Sequence, residues 1–243
     1  MDETASAADS KDHYASLLKA QLARASALRR AANADPRDAE DRLRLRAWQA
    51  QRLAHTHRDL LAAERYRPAA TFFLEELYGP KDFSERDQEV ERILPTLVAV
   101  LPASGIRTVA LAIELDALSE ELDGAMVAQL RLLGGTEAID GITYARAYRN
   151  CGNRPAREHQ LELVRQTGEA LDALAHRPLI RTAIHVMAAP ARLAGLGELH
   201  HFLQSGFDAF RYMGRADQFL ERIVGRERDL MERLFAGAAD PWD

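Results

Sequence analysis

The chain has a single cysteine, Cys151, so it cannot form an internal disulfide and its fold cannot depend on oxidation. Long apolar runs are also missing. The longest charge-free stretch, Ile93 to Ile106, is too short to span a bilayer and contains Pro95 and Pro102. The opening Met-Asp-Glu-Thr is acidic and has no apolar segment of the secretory kind. No run of alternating β-branched residues reads as a strand, and there is no low-complexity linker or solenoid repeat. A Gly-rich phosphate loop, G-x-S-x-G, H-E-x-x-H and a Cys/His zinc cluster are all absent, and no helix-turn-helix signature is visible. The formal net charge of -5 gives no overall attraction to nucleic acid or anionic lipid. These absences lead us to expect a cytosolic protein with no membrane or nucleic-acid partner.

What is present is helical periodicity. The 243 residues are 47% hydrophobic and 28% charged, an ordinary globular balance. Residues 1–9 read as a disordered tail of small and acidic residues, 10–236 as one helical domain, and 237–243 as a C-terminal tail. Tyr14, Leu18, Leu22, Ala25 and Leu28 recur at helical spacing. Asn33-Ala34-Asp35-Pro36 stops that helix and starts another, with Asp35 as N-cap and Pro36 in the first position. The second helix is expected to reach about Arg67 and bury Leu43, Ala47, Ala50, Ala54, His57 and Leu61 as a heptad stripe. Leu45 and Trp48 fall off that stripe and suggest a partner or homodimer surface. A long helix is expected to end near Leu133 at Gly134-Gly135, with Leu111, Leu115, Leu118, Leu122 and Met126 as its apolar face. Shorter helices follow over about 136–149, 155–175 and 178–187, with a break from Pro190 to Gly197. Two more close the chain. The expected fold is all-α, a single multi-helix bundle-like domain.

Charge is distributed unevenly. Residues 20–67 hold eleven Arg against six acids, and residues 68–140 hold fourteen acids against five bases. We read this as complementary packing of two regions within one domain. The other reading is an arginine face for an external anionic partner.

The densest unusual segment is Arg67 to Asp87. Its pattern Phe72-Phe73-Leu74-x-x-Leu77-Tyr78-Gly79-Pro80-x-Asp82-Phe83-x-x-Arg86-Asp87 resembles the signature of a family of uncharacterised proteobacterial helical proteins. Gly206-Phe207-Asp208-Ala209-Phe210-Arg211-Tyr212-Met213, with Phe219-Leu220 and Arg226-Glu227, is similar to that family's C-terminal part. The resemblance covers most of the chain beyond the first helix. It implies a helical fold and a bacterial host, and it carries no assigned activity or functional residues.

Two places have the residue types for a site. At the aromatic Gly-Pro corner, Phe73, Tyr78, Asp82 and Arg86 read either as structural caps and packing or as the mouth of a pocket. On the long helix, Asp116, Glu120 and Asp123 are spaced four and three, so their carboxylates share a face. Buried, they need cations, and Arg146, Arg149 and Arg211 are the candidate partners. An arginine network or a solvated stripe is preferred over a metal site, which needs more oxygen ligands. Together Phe73, Tyr78, Asp82, Arg86, Asp116, Glu120, Asp123 and Arg149 form the candidate ligand pocket.

Of the Glu-x-x-His pairs that a di-iron bundle needs, only Glu198-Leu199-His200-His201 is present. Haem needs only an axial histidine in an apolar pocket, and His57, His185 and His201 are the candidates. Each also reads as an ordinary hydrogen-bonded core histidine. Cys151, ahead of Gly152-Asn153, reads as an ordinary thiol. No catalytic set is complete. The preferred expectation is a non-catalytic helical protein that binds a partner protein or small ligand in a regulatory or accessory role. The alternative is a haem- or metal-binding helical bundle. A third possibility is a cofactor-free enzyme using carboxylate acid–base chemistry at the aromatic corner.

Overall fold

The computed structural model describes residues 2–77, 79, 84–238 and 241–242, which contain helices and no strand. The all-α expectation is correct. In order, the helices are α1 (Asp2–Asn33), α2 (Pro36–Thr56), α3 (Arg58–Ala62) and α4 (Arg67–Phe72), which continues into a π-helical turn at Phe73–Leu77. Then come α5 (Ser84–Val100), α6 (Ala103–Leu132), α7 (Gly141–Cys151) and α8 (Arg154–Ala175). The chain closes with α9 (Pro178–Leu193), α10 (Gly197–Met213) and α11 (Asp217–Ala236).

Helix α6 is the spine. It packs against α1, α2, α7 and α8, so it has no single apolar face, as expected of a helix buried on several sides. Its first turns, through Ile106, Ala110 and Ile113, join Leu18 and Leu22 of α1 and Val90 of α5 in one apolar cluster. Its middle, from Leu111 to Leu122, joins Phe72, Phe73, Leu163, Phe210 and Phe219 in the largest cluster. Its last turns, Met126, Val127 and Leu130, join Leu45, Tyr144, Tyr148 and Leu230.

The stops follow local chemistry. The Asp35 carboxylate accepts from Arg37 N, with Pro36 in the first helical turn. Asp140 caps α7 by accepting from Thr143 N at 2.7 Å. Where α10 crosses α4, a Cβ on Gly206 would lie 2.7 Å from Phe72 Cζ, so glycine sets the approach of the two helices.

Several boundaries and faces differ from the sequence reading. Helix α1 takes in residues 2–9, which composition assigned to a tail, and from Ser10 onward its first buried side chain is Leu18. Helix α2 ends at Thr56, and His57 bridges it to α3. Helix α7 starts at Gly141 and not near 136. Pro190 does not break its helix, because α9 continues to Leu193. In the last segment, Trp242 packs edge-on to Trp48 and Tyr144.

The largest difference is on α2. Leu43, first of the expected stripe, is 40% exposed, whereas Asp41 and Leu45 are buried. The inner face of α2 is charged because the surface it meets on α6 is acidic. Leu45 is fully buried and the half-buried Trp48 stacks on Tyr144 at 4.1 Å, so the chain itself covers most of the surface offered for a dimer.

Candidate functional site

The acidic triplet of α6 is buried among arginines. Arg29 of α1 places Nη2 2.5 and 2.6 Å from the two Asp116 oxygens and Nε 3.2 Å from Glu120. Arg42 of α2 donates to the Glu120 carbonyl at 2.8 Å and is shared with Asp38. Arg46 donates to Glu120, and its Nε reaches Asp123 at 3.2 Å. Gln49 donates to the other Asp123 oxygen at 3.2 Å. Three guanidinium groups thus face the three carboxylates of α6, with Arg42 also paired to Asp38.

Burial pushes the Glu120 carboxyl up, and Asp123 and Asp116 add to this against the pull of Arg46 and Arg29. Beside this cluster, buried Asp41 accepts from Arg131 at 2.6 Å and from Thr136. Burial would raise the Asp41 carboxyl, but these two donors hold it below its usual range. The packing of an arginine-rich region on an acidic one is therefore internal. The partners named from the sequence are not the ones used: Arg146, Arg149 and Arg211 are exposed, and Arg149 lies against Gly237 at the end of α11.

Next to this network is a partly enclosed cavity of about 130 Å³, where α2, α3, α4 with its π turn, α6, α7, α8 and α11 converge. One wall is apolar: Leu53, Leu60, Ala70, Phe73, Leu161, Val164 and Ile223. The other carries Arg52, His57, Tyr144, Tyr148, Arg157, Gln160 and Glu227, with Asp116, Glu120 and Asp123 at its edge. The aromatic corner reaches the cavity through Phe73, Leu74 and Gly79. The π turn lies at this contact, in keeping with the tendency of such turns to occur at functional positions. Tyr78 and Asp82 lie outside the described residues, as does the Arg86 side chain.

At the polar wall, Arg52 grips Glu227 through Nη1, at 2.5 and 2.6 Å from its two oxygens. His57 Nε2 is 3.0 Å from Glu227 Oε1. Burial alone would raise the Glu227 carboxyl, but Arg52 and His57 overcome it and hold the group at about 2. Glu227 is therefore ionised and can only accept, so His57 donates from Nε2. His57 Nδ1 and Arg52 Nε have no protein partner among the described residues.

On the same wall, Arg157 is 7% exposed. Its Cζ sits 4.7 Å above the Tyr148 ring, and its Nη1 donates to Gln160 at 3.2 Å. Gln160 in turn donates to Ser119 Oγ at 2.9 Å, and Ser119 donates to the Leu115 carbonyl. Arg157 Nε and Nη2 have no protein partner among the described residues. Burial pushes the Tyr148 phenol well above its usual range, so it stays neutral.

The three histidines do not converge. His57 lines the cavity, whereas His185 and His201 are exposed on α9 and α10. His201 lies 4.0 Å from Glu76. His57 Nε2 is already engaged, and about 130 Å³ is well below the roughly 300–1,000 Å³ of pockets that enclose drug-sized ligands. A cavity of this volume would not enclose a porphyrin. The acids of α6 are paired with arginine, and the described residues hold no cluster of three or more His, Cys, Asp or Glu side chains suited to a metal ion. Burial raises the Cys151 thiol, which places it among inert cysteines.

Arg52, Tyr144, Tyr148, Arg157, Gln160 and Glu227 were not singled out from the sequence. A signal was available for two of them. Glu227 sits in register with Leu220, Val224, Met231 and Leu234, and Arg157 with Leu161, Val164 and Gly168. A charge at an apolar position of a helical stripe marks a buried polar site.

Residues 28–241 match the family described as a domain of unknown function, DUF8198, and the chain belongs to that family. The match includes every residue that lines the cavity. No curated protein and no solved structure matches the chain. Among the described residues, no helix is long and apolar enough to cross a membrane.

Proposed function

We propose that this protein binds a small molecule in the cavity beneath α2 and serves a non-catalytic regulatory or accessory role. The observation that carries this is the pairing of an apolar wall with buried polar groups that lack protein partners. Such groups are costly to bury unless something completes their hydrogen bonds. A concave, largely apolar site with a few converging polar groups is the usual form of a small-molecule site. The misfit of the cavity with a porphyrin weighs against the haem alternative, and a Soret shift on adding haemin to purified protein would restore it. The covered Leu45–Trp48 surface weighs against a homodimer built there. The bacterial host and cytosolic location remain inferences from the resemblance and the composition.

The reading is tested by two-dimensional NMR against a library of small organic molecules. Binders are expected to perturb the Ile223, Val164 and Leu161 methyl groups and the Tyr144 and Tyr148 rings. Binders that perturb only surface residues, or no binder at all, would overturn it.

A further inference from the structure

We propose that the ligand is a small organic monocarboxylate with an apolar body of about benzene size, seated with its carboxylate on Arg157. This rests on the reading of the cavity as a ligand site, and three observations carry it further.

The first is charge. In the network beside the cavity, Arg29, Arg42 and Arg46 offset Asp116, Glu120 and Asp123. At the polar wall, Arg52 offsets Glu227. Arg157 remains as a cavity-lining cation whose only hydrogen-bond acceptor among the described residues is the neutral Gln160. The Tyr148 face compensates part of that charge. A bound anion would complete the neutralisation.

The second is geometry. Nη1 of Arg157 is committed to Gln160, whereas Nε and Nη2 are without protein partners. Those two nitrogens form one edge of the guanidinium plane, the parallel pair of donors that matches the two oxygens of a carboxylate. They are shut off from bulk solvent, so water in the open does not satisfy them. The chain from Gln160 through Ser119 to the Leu115 carbonyl fixes the plane from the opposite edge.

The third is size and polarity. A dry engineered cavity of about 150 Å³ accepts benzene, and this one is about 130 Å³. The apolar wall of Phe73, Leu161, Val164 and Ile223 suits a ring or a short chain. A second ionised group on the ligand would meet Glu227 or the acids of α6, which restricts it to a single negative charge.

The test is calorimetric titration of the full chain with butyrate, hexanoate, benzoate and phenylacetate, alongside the matched amides, benzylamine and inorganic phosphate. At least one acid is expected to bind, with its amide weaker by roughly 10–100-fold, the loss that follows from removing a charge-assisted hydrogen-bond pair. Benzylamine and phosphate are expected not to bind. Arg157→Met should abolish the preference of acid over amide, and Arg157→Lys should retain part of it. Arg157→Met should also melt higher than the parent without ligand, because it replaces an unpaired buried cation with an apolar chain of similar length. Amides that bind as well as the acids, with Arg157→Met unchanged, would overturn the anion assignment and leave the ligand site standing. Silence from all acids and amides, with Arg157→Met melting lower than the parent, would overturn both and make Arg157 a structural partner of Tyr148 and Gln160.

Discussion

Two buried charged regions lie side by side in this molecule, and they are built differently. Between α1, α2 and α6, every buried carboxylate has an arginine partner, and that network fastens three helices. Between α2, α7, α8 and α11, Arg52, His57 and Glu227 are paired, but Arg157 on the same wall is not. Both regions take charge out of water at a cost. In the first, the protein itself offsets that cost. In the second, part of it remains, beside a space large enough for a ligand. Buried charge alone therefore says little about function, whereas its local balance separates a fastening from a site.

The difference can be probed by breaking the first region. Arg29→Met leaves Asp116 and part of Glu120 buried without their main partner. It should cost about 3–5 kcal/mol, measured by urea unfolding. Adding Asp116→Leu to it should restore part of that loss, because the pair then becomes apolar on both sides.

Glu227 gives the next effect in size. Its carboxyl is held at about 2 against a usual 4.5. A depressed carboxylate contributes stability that is fully present above the unfolded value and is lost as pH falls through the folded one. The contribution, about 3 kcal/mol by linkage, should therefore vanish between roughly pH 5 and pH 2. Glu227→Gln should flatten that part of the stability-versus-pH curve. A curve that keeps its parent slope in the variant would show that Glu227 is not the group responsible.

Gly206→Ala should cost about 1–3 kcal/mol through the clash with Phe72 and should leave the acid limb of the curve unchanged. The smallest effect belongs to the exposed pair of Asp59 and Arg226, which meet at 2.6 and 2.8 Å. Arg226 holds the Asp59 carboxyl at about 2, but the aspartate side chain is 47% exposed and water screens the pair. Asp59→Asn should cost no more than about 1 kcal/mol, and less in high salt.

Much of the fold can be read in the sequence because helix stops are local. Asp35-Pro36 acts through its own backbone neighbours, and its position decides the boundary between α1 and α2. The shared face of Asp116, Glu120 and Asp123 is equally local, since it follows from helical spacing. Its partners are not local. Arg29 and Arg46 come from helices more than seventy residues earlier, and nothing in the spacing says which helix will dock. The same gap misplaced the buried face of α2. Apolar periodicity favoured Leu43 and Ala47, but the surface α2 meets is acidic, so Arg42, Arg46 and Gln49 turn inward. At the cavity, the informative residues break the pattern: Arg157 and Glu227 occupy apolar positions, and an eye trained on hydrophobic stripes passes over them.

Helix α6 has a further consequence. Because it contributes to all three apolar clusters, none of them can open without exposing part of its surface. The clusters are therefore expected to be lost together, with amide protons near Leu115 and Leu122 exchanging only through global opening. Among its described residues, helix α9 contributes no buried side chain to these clusters. It is free to open first and report its own, lower free energy, so a single melting temperature would average two kinds of event.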